Sequence, residues 1–358
     1  MNMEYKIGII IPVYNAIKTL DAAVRSIRKQ TIGFRNVQVI LADDHSNDGS
    51  FERAQKLAAR YQNITVVQTK QNSGSASAPR NLGLQLVEAP HVMFLDNDDM
   101  LDLDACRVLY EEAEKTSFDL IAGSYSEIHY GRKTRAVPYY DTVQARDFDF
   151  PAEMPDFRPI ADPFWCKLFS TALIREHNLR FESGLYGEDT LFMLRYLTCC
   201  KTGRHIKANI YNYRIRDNSL FHIFDKEHIF GALVGDRRIR EVLINAGQQK
   251  YYHEYLEDHL SQMMDVIANA DKLSDDDIPE VMLAWAPYFK IAVEQGFTAK
   301  NLYGEILLED ARRGEYDRQA SHMLTLRALC REKNAAMQDI LRSRGWRAIE
   351  YFNRLLAR

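Results

Sequence analysis

The residues best equipped for chemistry sit in one short run. Asp96, Asp98 and Asp99 follow directly on the apolar stretch Val92-Met93-Phe94-Leu95. Four apolar residues bounded by polar ones read as a short buried strand, which puts the carboxylates at its C-terminal end. Open α/β sheets bind ligands in the crevice at that end. Carboxylates this crowded repel one another unless a cation or protons relieve them. Hard oxygen ligands suit Mg2+ or Mn2+, and such a site takes one or two protein carboxylates while phosphates and water complete the octahedron. The expectation is a divalent cation that in turn holds a diphosphate. The plainer reading is a strand-to-helix turn in which Asp102 caps the next helix. It accounts for Asp102 and leaves Asp96 to Asp99 without a role.

Asp43-Asp44 forms a second acidic cluster, ahead of His45-Ser46-Asn47-Asp48-Gly49. Such residues populate turns because their side chains bond the local backbone, and Ser46 or Asp48 is a candidate helix cap. A carboxylate there also suits the imide N–H of a uracil or the hydroxyls of a ribose. Two acidic clusters at strand ends of one sheet face one crevice. Between them in the chain, Arg80 is placed for a bidentate contact to a phosphate or nucleobase, or is an ordinary surface arginine. In Gly187-Glu188-Asp189, Asp189 reads as a helix N-cap or as the general base that deprotonates an acceptor hydroxyl. Trp165 and Lys167 border a proline-rich excursion, and Trp165 suits stacking on a sugar ring or packing in a core. Arg214, Arg216 and Ser219 follow the last strand of the sheet, placed to close over a diphosphate or to stand as exposed loop groups.

These residues need a frame, and hydrophobic periodicity supplies one. Ile7-Gly8-Ile9-Ile10-Ile11, Val37 to Ala42, Ile64 to Val67 and Val92 to Leu95 read as buried strands, each followed by a helical pattern. Alternating strands and helices imply a mainly parallel sheet covered on both faces. Further strands are expected at Phe118 to Ala122 and Ile210 to Arg214, and regular structure resumes at Trp165 to Phe169. Residues 131–163, with Pro138, Pro151, Pro155, Pro159 and Pro163, read as a long surface excursion. Beyond Asp225 strand signals stop, and Ile229 to Ala246, Tyr251 to Ala270, Pro279 to Gln295 and Leu302 to Arg313 read as amphipathic helices. The expected division is an α/β domain over residues 1–225 and an all-α domain over 226–358.

Composition bounds the rest. A chain of 358 residues with 46% apolar and 27% charged residues suits one large or two modest soluble domains. A net charge of -4 gives no reason to expect nucleic acid as a partner. Five scattered cysteines follow no metal-ligand or disulfide spacing and fit a reducing compartment. No secretory signal or membrane-spanning stretch is visible, so the expected location is cytoplasmic. Residues 327–358 carry many arginines beside an apolar face. A docked helix is the plain reading, and peripheral contact with the inner face of a membrane the second.

Pro12-Val13-Tyr14-Asn15, Asp43 to Gly49, Pro79-Arg80-Asn81-Leu82-Gly83, Phe94 to Asp99 and Gly187-Glu188-Asp189 occur in that order. Trp165-Cys166-Lys167-Leu168-Phe169 lies between the last two. Together they resemble family 2 glycosyltransferases, inverting enzymes of the GT-A fold, over about residues 5 to 222. The resemblance implies a nucleotide-diphospho-sugar donor, most often a UDP-sugar, a glycan or lipid-linked acceptor, and Mn2+ or Mg2+. It implies that Pro12, Tyr14 and Asn15 line the nucleotide pocket and Asp44 meets the uracil. Asp96 would approach the ribose or donor sugar and Asp98 the nucleotide-sugar, with Asp98 and Asp99 carrying the metal and Asp99 its main ligand. Asp189 would be the base, supported by Glu188. It also refines the sheet to a mostly parallel one with antiparallel strands added after the acidic motif. His45 stands where that family frequently has glycine. Two other readings compete: a non-catalytic scaffold that keeps the nucleotide pocket, and a sugar-nucleotide pyrophosphorylase, for which Pro12-Val13-Tyr14-Asn15 is not the expected glycine-rich loop.

Overall fold

The computed structural model describes residues 4–115, 117–129, 132–136, 144–161, 163–215, 225–299 and 302–342. The chain divides into two compact units, Met1–Asn218 with Val234–Tyr251, and Ser219–Leu233 with Tyr252–Arg358. Residues 234–251 thus group with the sheet, which differs from a cut after residue 225.

The first unit opens with β1 (Ile7–Val13), α1 (Leu20–Arg28), β2 (Val37–Asp43), α2 (Ser50–Arg60), β3 (Ile64–Gln68), α3 (Ser77–Leu86) and β4 (His91–Phe94). Every residue of β1 and β2 is buried, as befits parallel strands covered on both sides. The order β3-β2-β1-β4 is parallel throughout. The chain steps outward from β1 to β3 and then back to β4. Right-handed crossovers in opposite directions put α1 and α2 on one face and α3 on the other. The reversal lies between β1 and β4, where a crevice opens at the strands' C-terminal ends.

The rest of the sheet is mixed. β5 (Met100–Leu101), α4 (Ala105–Lys115), β6 (Leu120–His129), β7 (Arg132–Ala136), β8 (Arg146–Asp149), α5 (Met154–Ala161), β9 (Lys167–Ser170), α6 (Thr171–Glu176), α7 (Glu188–Cys199) and β10 (Thr202–Arg214) follow. β9 runs antiparallel between β4 and β6, and β10 lies parallel to β6. Short β5, β7 and β8 pair antiparallel with their neighbours. Antiparallel strands therefore take a larger share than expected. The proline-rich excursion contains β7, β8 and a helix. In α5, Met154, Phe157, Ile160 and Ala161 are buried at helical spacing, and Pro155 sits in the first turn, where its missing N–H costs nothing. The expected short strand at Ile210 is the end of the 13-residue β10. Arg204, His205 and Lys207 interrupt its apolar pattern; His205 is nonetheless buried.

Close approach of α3 to β1 depends on one residue. A Cβ at Gly83 would lie 2.5 Å from Ile10 Cγ2. Only glycine lets α3 settle this deeply on β1, and α3 carries Arg80 and Asn81.

Beyond the sheet come α8 (Lys226–Asn245), α9 (Gln249–Asn269), α10 (Ile278–Glu294), α11 (Leu302–Arg312) and α12 (Tyr316–Arg342). Trp285, Phe289, Leu307 and Met323 are buried in the second unit's core. Arg327, counted in the sequence among the basic surface residues, is 1% exposed. Its guanidinium donates to the carbonyls of Ile267, Ala270 and Leu273 and to Asp275, tying α12 to the end of α9. Residues 343–358 of the basic tail lie outside the described residues. Among the described residues no helix is long and apolar enough to cross a membrane.

Gly83→Ala should destabilise the protein by about 1–3 kcal/mol, the usual cost of forcing atoms into a packed interface. Chemical denaturation of both forms measures this; equal stability would mean that α3 has room to move.

Candidate active site

The C-terminal ends of β1, β2 and β4 carry the residues singled out from sequence. Asn97 Nδ2 donates to Pro12 O across the β1–β4 reversal at 2.9 Å, so the residue between the aspartates pins the acidic run to β1. Two loops clasp each other beside it. Asn15 N donates to Ser46 Oγ, Asn47 N to Asn15 Oδ1 and Ile17 N to Asp48 Oδ2. Asn15 and His45 both hold positive φ, 47° and 60°, a conformation that costs a non-glycine residue something. His45 thus adopts the backbone for which glycine is suited. Tyr14 stands out of this clasp at 47% exposed.

Asp43 and Asp44 behave as loop anchors. Asp43 is fully buried and accepts from Ser46 N and Gln68 Nε2, each at 3.0 Å. These bonds make Asp43 a loop anchor through Oδ2, while its Oδ1 has no hydrogen-bond partner among the described residues. Asp44 is 3% exposed and accepts from Thr69 Oγ1, Ser73 N and Ser73 Oγ. For Asp44 to meet a uracil, Ser73 must release part of this bonding.

The three aspartates of the acidic run point to different places. Asp99 is 1% exposed; its Oδ2 accepts from Tyr211 Oη at 2.9 Å and its Oδ1 from Arg214 N at 2.7 Å. Burial, then the Asp96 and Asp98 carboxylates, push Asp99 up to about 8. Asp99 is thus held by the Tyr211 hydroxyl and the Arg214 backbone, where a main metal ligand was expected. Tyr211 Oη also accepts from Asp96 N at 3.1 Å, so one buried hydroxyl orders both aspartates. Asp98 stays half-exposed. Among the described residues no group of three or more His, Cys, Asp or Glu side chains is arranged to hold a metal ion. The oxygen donors present fit Mg2+ or Mn2+ only in the mode that leaves most of the coordination shell to phosphates and water.

Arg80 links this run to the second carboxylate group. Its Nη2 lies 2.9 Å from Asp96 Oδ1 and its Nη1 3.6 Å from Glu188 Oε1. The guanidinium is 5% exposed and lies over the rings of Phe164 and Phe181, at 4.7 and 5.3 Å. Burial alone would lower its pKa, but the carboxylates of Asp96, Glu188 and Asp189 raise it. Arg80 is thus an internal strut, where a phosphate or nucleobase contact was expected. Asn81, given no role from sequence, clamps Phe181 by accepting from its N and donating to its O, at 2.9 and 2.7 Å. Asp189 Oδ1 accepts from Thr190 N at the start of α7. Gly187, with φ 82°, makes the turn into that helix.

Three expected contacts lie elsewhere. Lys167 is fully buried and donates to Pro163 O, a structural position rather than a donor contact. Trp165 stacks on Tyr211 at 3.9 Å between centroids and meets Tyr125 edge-on at 5.0 Å, so it packs in the core and backs the hydroxyl that holds Asp99. Arg214 serves through its backbone N–H, and its Nη2 reaches Met100 Sδ. Arg216 and Ser219 lie outside the described residues. Asp102 accepts from Asn209 Nδ2, and the helix it was expected to cap starts only at Ala105. Tyr211 left no mark in the sequence, because one tyrosine in a strand carries no motif.

Glu188 offers a test of this electrostatic frame. Burial, then Asp189, push it from 4.5 up to about 7, against the pull of Arg80. The folded state then holds a proton that the unfolded chain releases above about 4.5, so this contribution to stability is full below that pH and lost as pH rises to about 7. Between pH 4.5 and 8, thermal unfolding should show the wild type losing more stability than Glu188→Gln. Parallel profiles would contradict the assigned environment.

Residues 8–166 match the sequence profile of glycosyl transferase family 2. The chain is 29% identical over 220 residues to poly(ribitol-phosphate) beta-N-acetylglucosaminyltransferase TarP of Staphylococcus aureus, covering 61% of this chain and 62% of that protein. It is 25% identical over 232 residues to the poly(ribitol-phosphate) beta-glucosyltransferase of Bacillus spizizenii, covering 64% of this chain and 36% of that one. The chain thus spans less than two thirds of the length of these relatives. The crystal structure of S. aureus TarS 1-349 in complex with UDP has the same fold, with a TM-score of 0.70 at 20% identity over 90% of this chain and 91% of that one. Residues 8–166 are thus similar in sequence to glycosyl transferase family 2, and the sheet with the helices after it has the fold of the TarS structure.

Proposed function

We propose that this chain is an inverting glycosyltransferase that moves a sugar from a UDP-sugar to a hydroxyl of a glycan, lipid-linked glycan or polyol-phosphate polymer of a cell surface. The observation that carries it is the bridge from Asp96 through Arg80 to Glu188, which sets a donor-side carboxylate and a base-side pair about one guanidinium apart. The names of the relatives support a sugar transferred to a phosphate-linked polyol polymer. UDP and UDP-GlcNAc in complexes of TarS support the nucleotide.

In this reading Tyr14, beside Pro12 and Asn15, offers a face to the uracil. Asp44 exchanges part of its bonding with Ser73 for the imide N–H. Asp96 approaches the ribose or sugar. Asp98, with the donor's phosphates, would hold Mg2+ or Mn2+, which when bound neutralises charge on the departing diphosphate. Asp189 takes the proton of the acceptor hydroxyl as its oxygen bonds to the anomeric carbon and the bond to the diphosphate breaks, which inverts configuration. Glu188, held by Arg80, keeps Asp189 in register. The basic segment beyond residue 342 is proposed to rest on an anionic membrane surface.

UDP released from a panel of UDP-sugars, with Mn2+ and a poly(ribitol phosphate) or glycan acceptor, tests the reaction. Asp189→Asn should lower transfer by about 10²–10⁴-fold, as for loss of a general base. Asp98→Ala should abolish the gain from added Mn2+. Full transfer by both variants would sink the assignments. In liposome flotation, a form ending at residue 342 should lose binding to anionic vesicles that the full chain shows; equal flotation removes the membrane contact.

A further inference from the structure

The segment that presents Glu188 and Asp189 is held from two sides. On one side stands α3. Asn81 clamps Phe181, and Ser77 Oγ donates to Glu182 O at 3.3 Å. On the other side stands α8, beyond the residues matched by the family profile. A Cβ at Gly235 would lie 2.5 Å from Tyr186 O, so the backbone of α8 rests on the carbonyl one residue before Gly187. A backbone carbonyl has no rotamer by which to give way. Four residues earlier in the segment, Glu182 takes two arginines at once. Its Oε2 lies 2.7 Å from Arg195 Nη2 on α7, and its Oε1 2.9 Å from Arg238 Nε on α8. Arg238 is oriented in turn by Glu241, at 3.0 Å. Glu182 therefore joins three elements: the segment, the helix that starts with the base pair, and α8. Gly235 and Arg238 both fall within the part of α8 that groups with the sheet.

We infer that Gly235 and Arg238 are positioning residues for transfer, through which α8 fixes the segment Glu182–Gly187 and hence the placement of Asp189 against the acceptor. This rests on the glycosyltransferase reading above. A single ion pair at a half-exposed site contributes little to stability. A displacement of about 1 Å at a reacting group, however, costs on the order of 10²-fold in rate. An alanine methyl at 235 must move either α8 or Tyr186 O by a comparable amount. Donor contacts lie at β1, β2 and β4, on the far side of Arg80, so they should be spared.

The test compares Gly235→Ala, Arg238→Ala and Arg238→Lys, with Val234→Ala as a control at an exposed neighbour. Two readouts are needed: steady-state UDP release with the UDP-sugar that the wild type uses, and hydrogen exchange of the peptide covering residues 182–190. Gly235→Ala should lower kcat by about 10- to 100-fold, according to how much of the shift reaches Asp189, while the donor KM stays within about twofold. Arg238→Ala should lower kcat severalfold and Arg238→Lys should recover much of it. Exchange in 182–190 should rise in Gly235→Ala and Arg238→Ala and not in Val234→Ala. Unchanged exchange there overturns the inference, and so does exchange that rises evenly across the chain, which would mark a general loss of stability. If the wild type turns over no UDP-sugar, the reaction assigned to the chain fails, while exchange still decides whether α8 fixes the segment.

Discussion

One buried cation holds the site together. Arg80 lies between Asp96, at the end of β4, and Glu188, at the start of α7, with aromatic rings against its planar faces. Asp96 meets it on one side, and Glu188, with Asp189 beside it, on the other. Without the guanidinium these carboxylates would face one another in a poorly hydrated interior, and removing one partner of such a buried pair typically costs about 3–5 kcal/mol. The same guanidinium has little access to solvent, so its charge is spent inside the protein. It ties the half of the crevice built by the parallel strands to the half built by the later helices. The depth at which Gly83 lets α3 rest on β1 sets where that charge sits.

The parallel half of the fold was legible because the forces behind it are local. Runs such as Ile7 to Ile11 and Val37 to Ala42 are apolar throughout, and burial on both faces leaves them no other pattern. The helices from Ile229 to Arg313 were legible for the same reason. β7, β8 and α5 were hidden by prolines, which break periodicity even where Pro155 sits harmlessly in a first turn. Most of β10 was hidden by polar residues buried in a mixed sheet.

The site was legible as a set of positions more than as a set of roles. The acidic run, Arg80 and Glu188-Asp189 do come together. Which oxygen faces inward depends on partners far away in the chain. Asp99 is committed by Tyr211 and the Arg214 backbone, more than 100 residues on. Asp43 Oδ2 is taken up by its own loop and by Gln68 on β3, and Lys167 by a carbonyl four residues back. A lysine or aspartate in a motif looks the same in sequence whether it faces a ligand or closes a turn, and burial separates the two. Trp165 shows the same ambiguity: it packs behind Tyr211 and orders the site from within.

The central claim is that Arg80 acts as a strut between donor-side and base-side carboxylates and not as a contact to the nucleotide. Arg80→Lys keeps the charge and loses the fork that reaches both partners at once. UDP binding, titrated calorimetrically with Mn2+, beside transfer by the same preparation, decides the matter. The structure predicts UDP affinity within about threefold of the wild type and transfer reduced by about 10²-fold. Loss of UDP affinity with the rate on bound donor preserved would contradict it and return Arg80 to the nucleotide pocket.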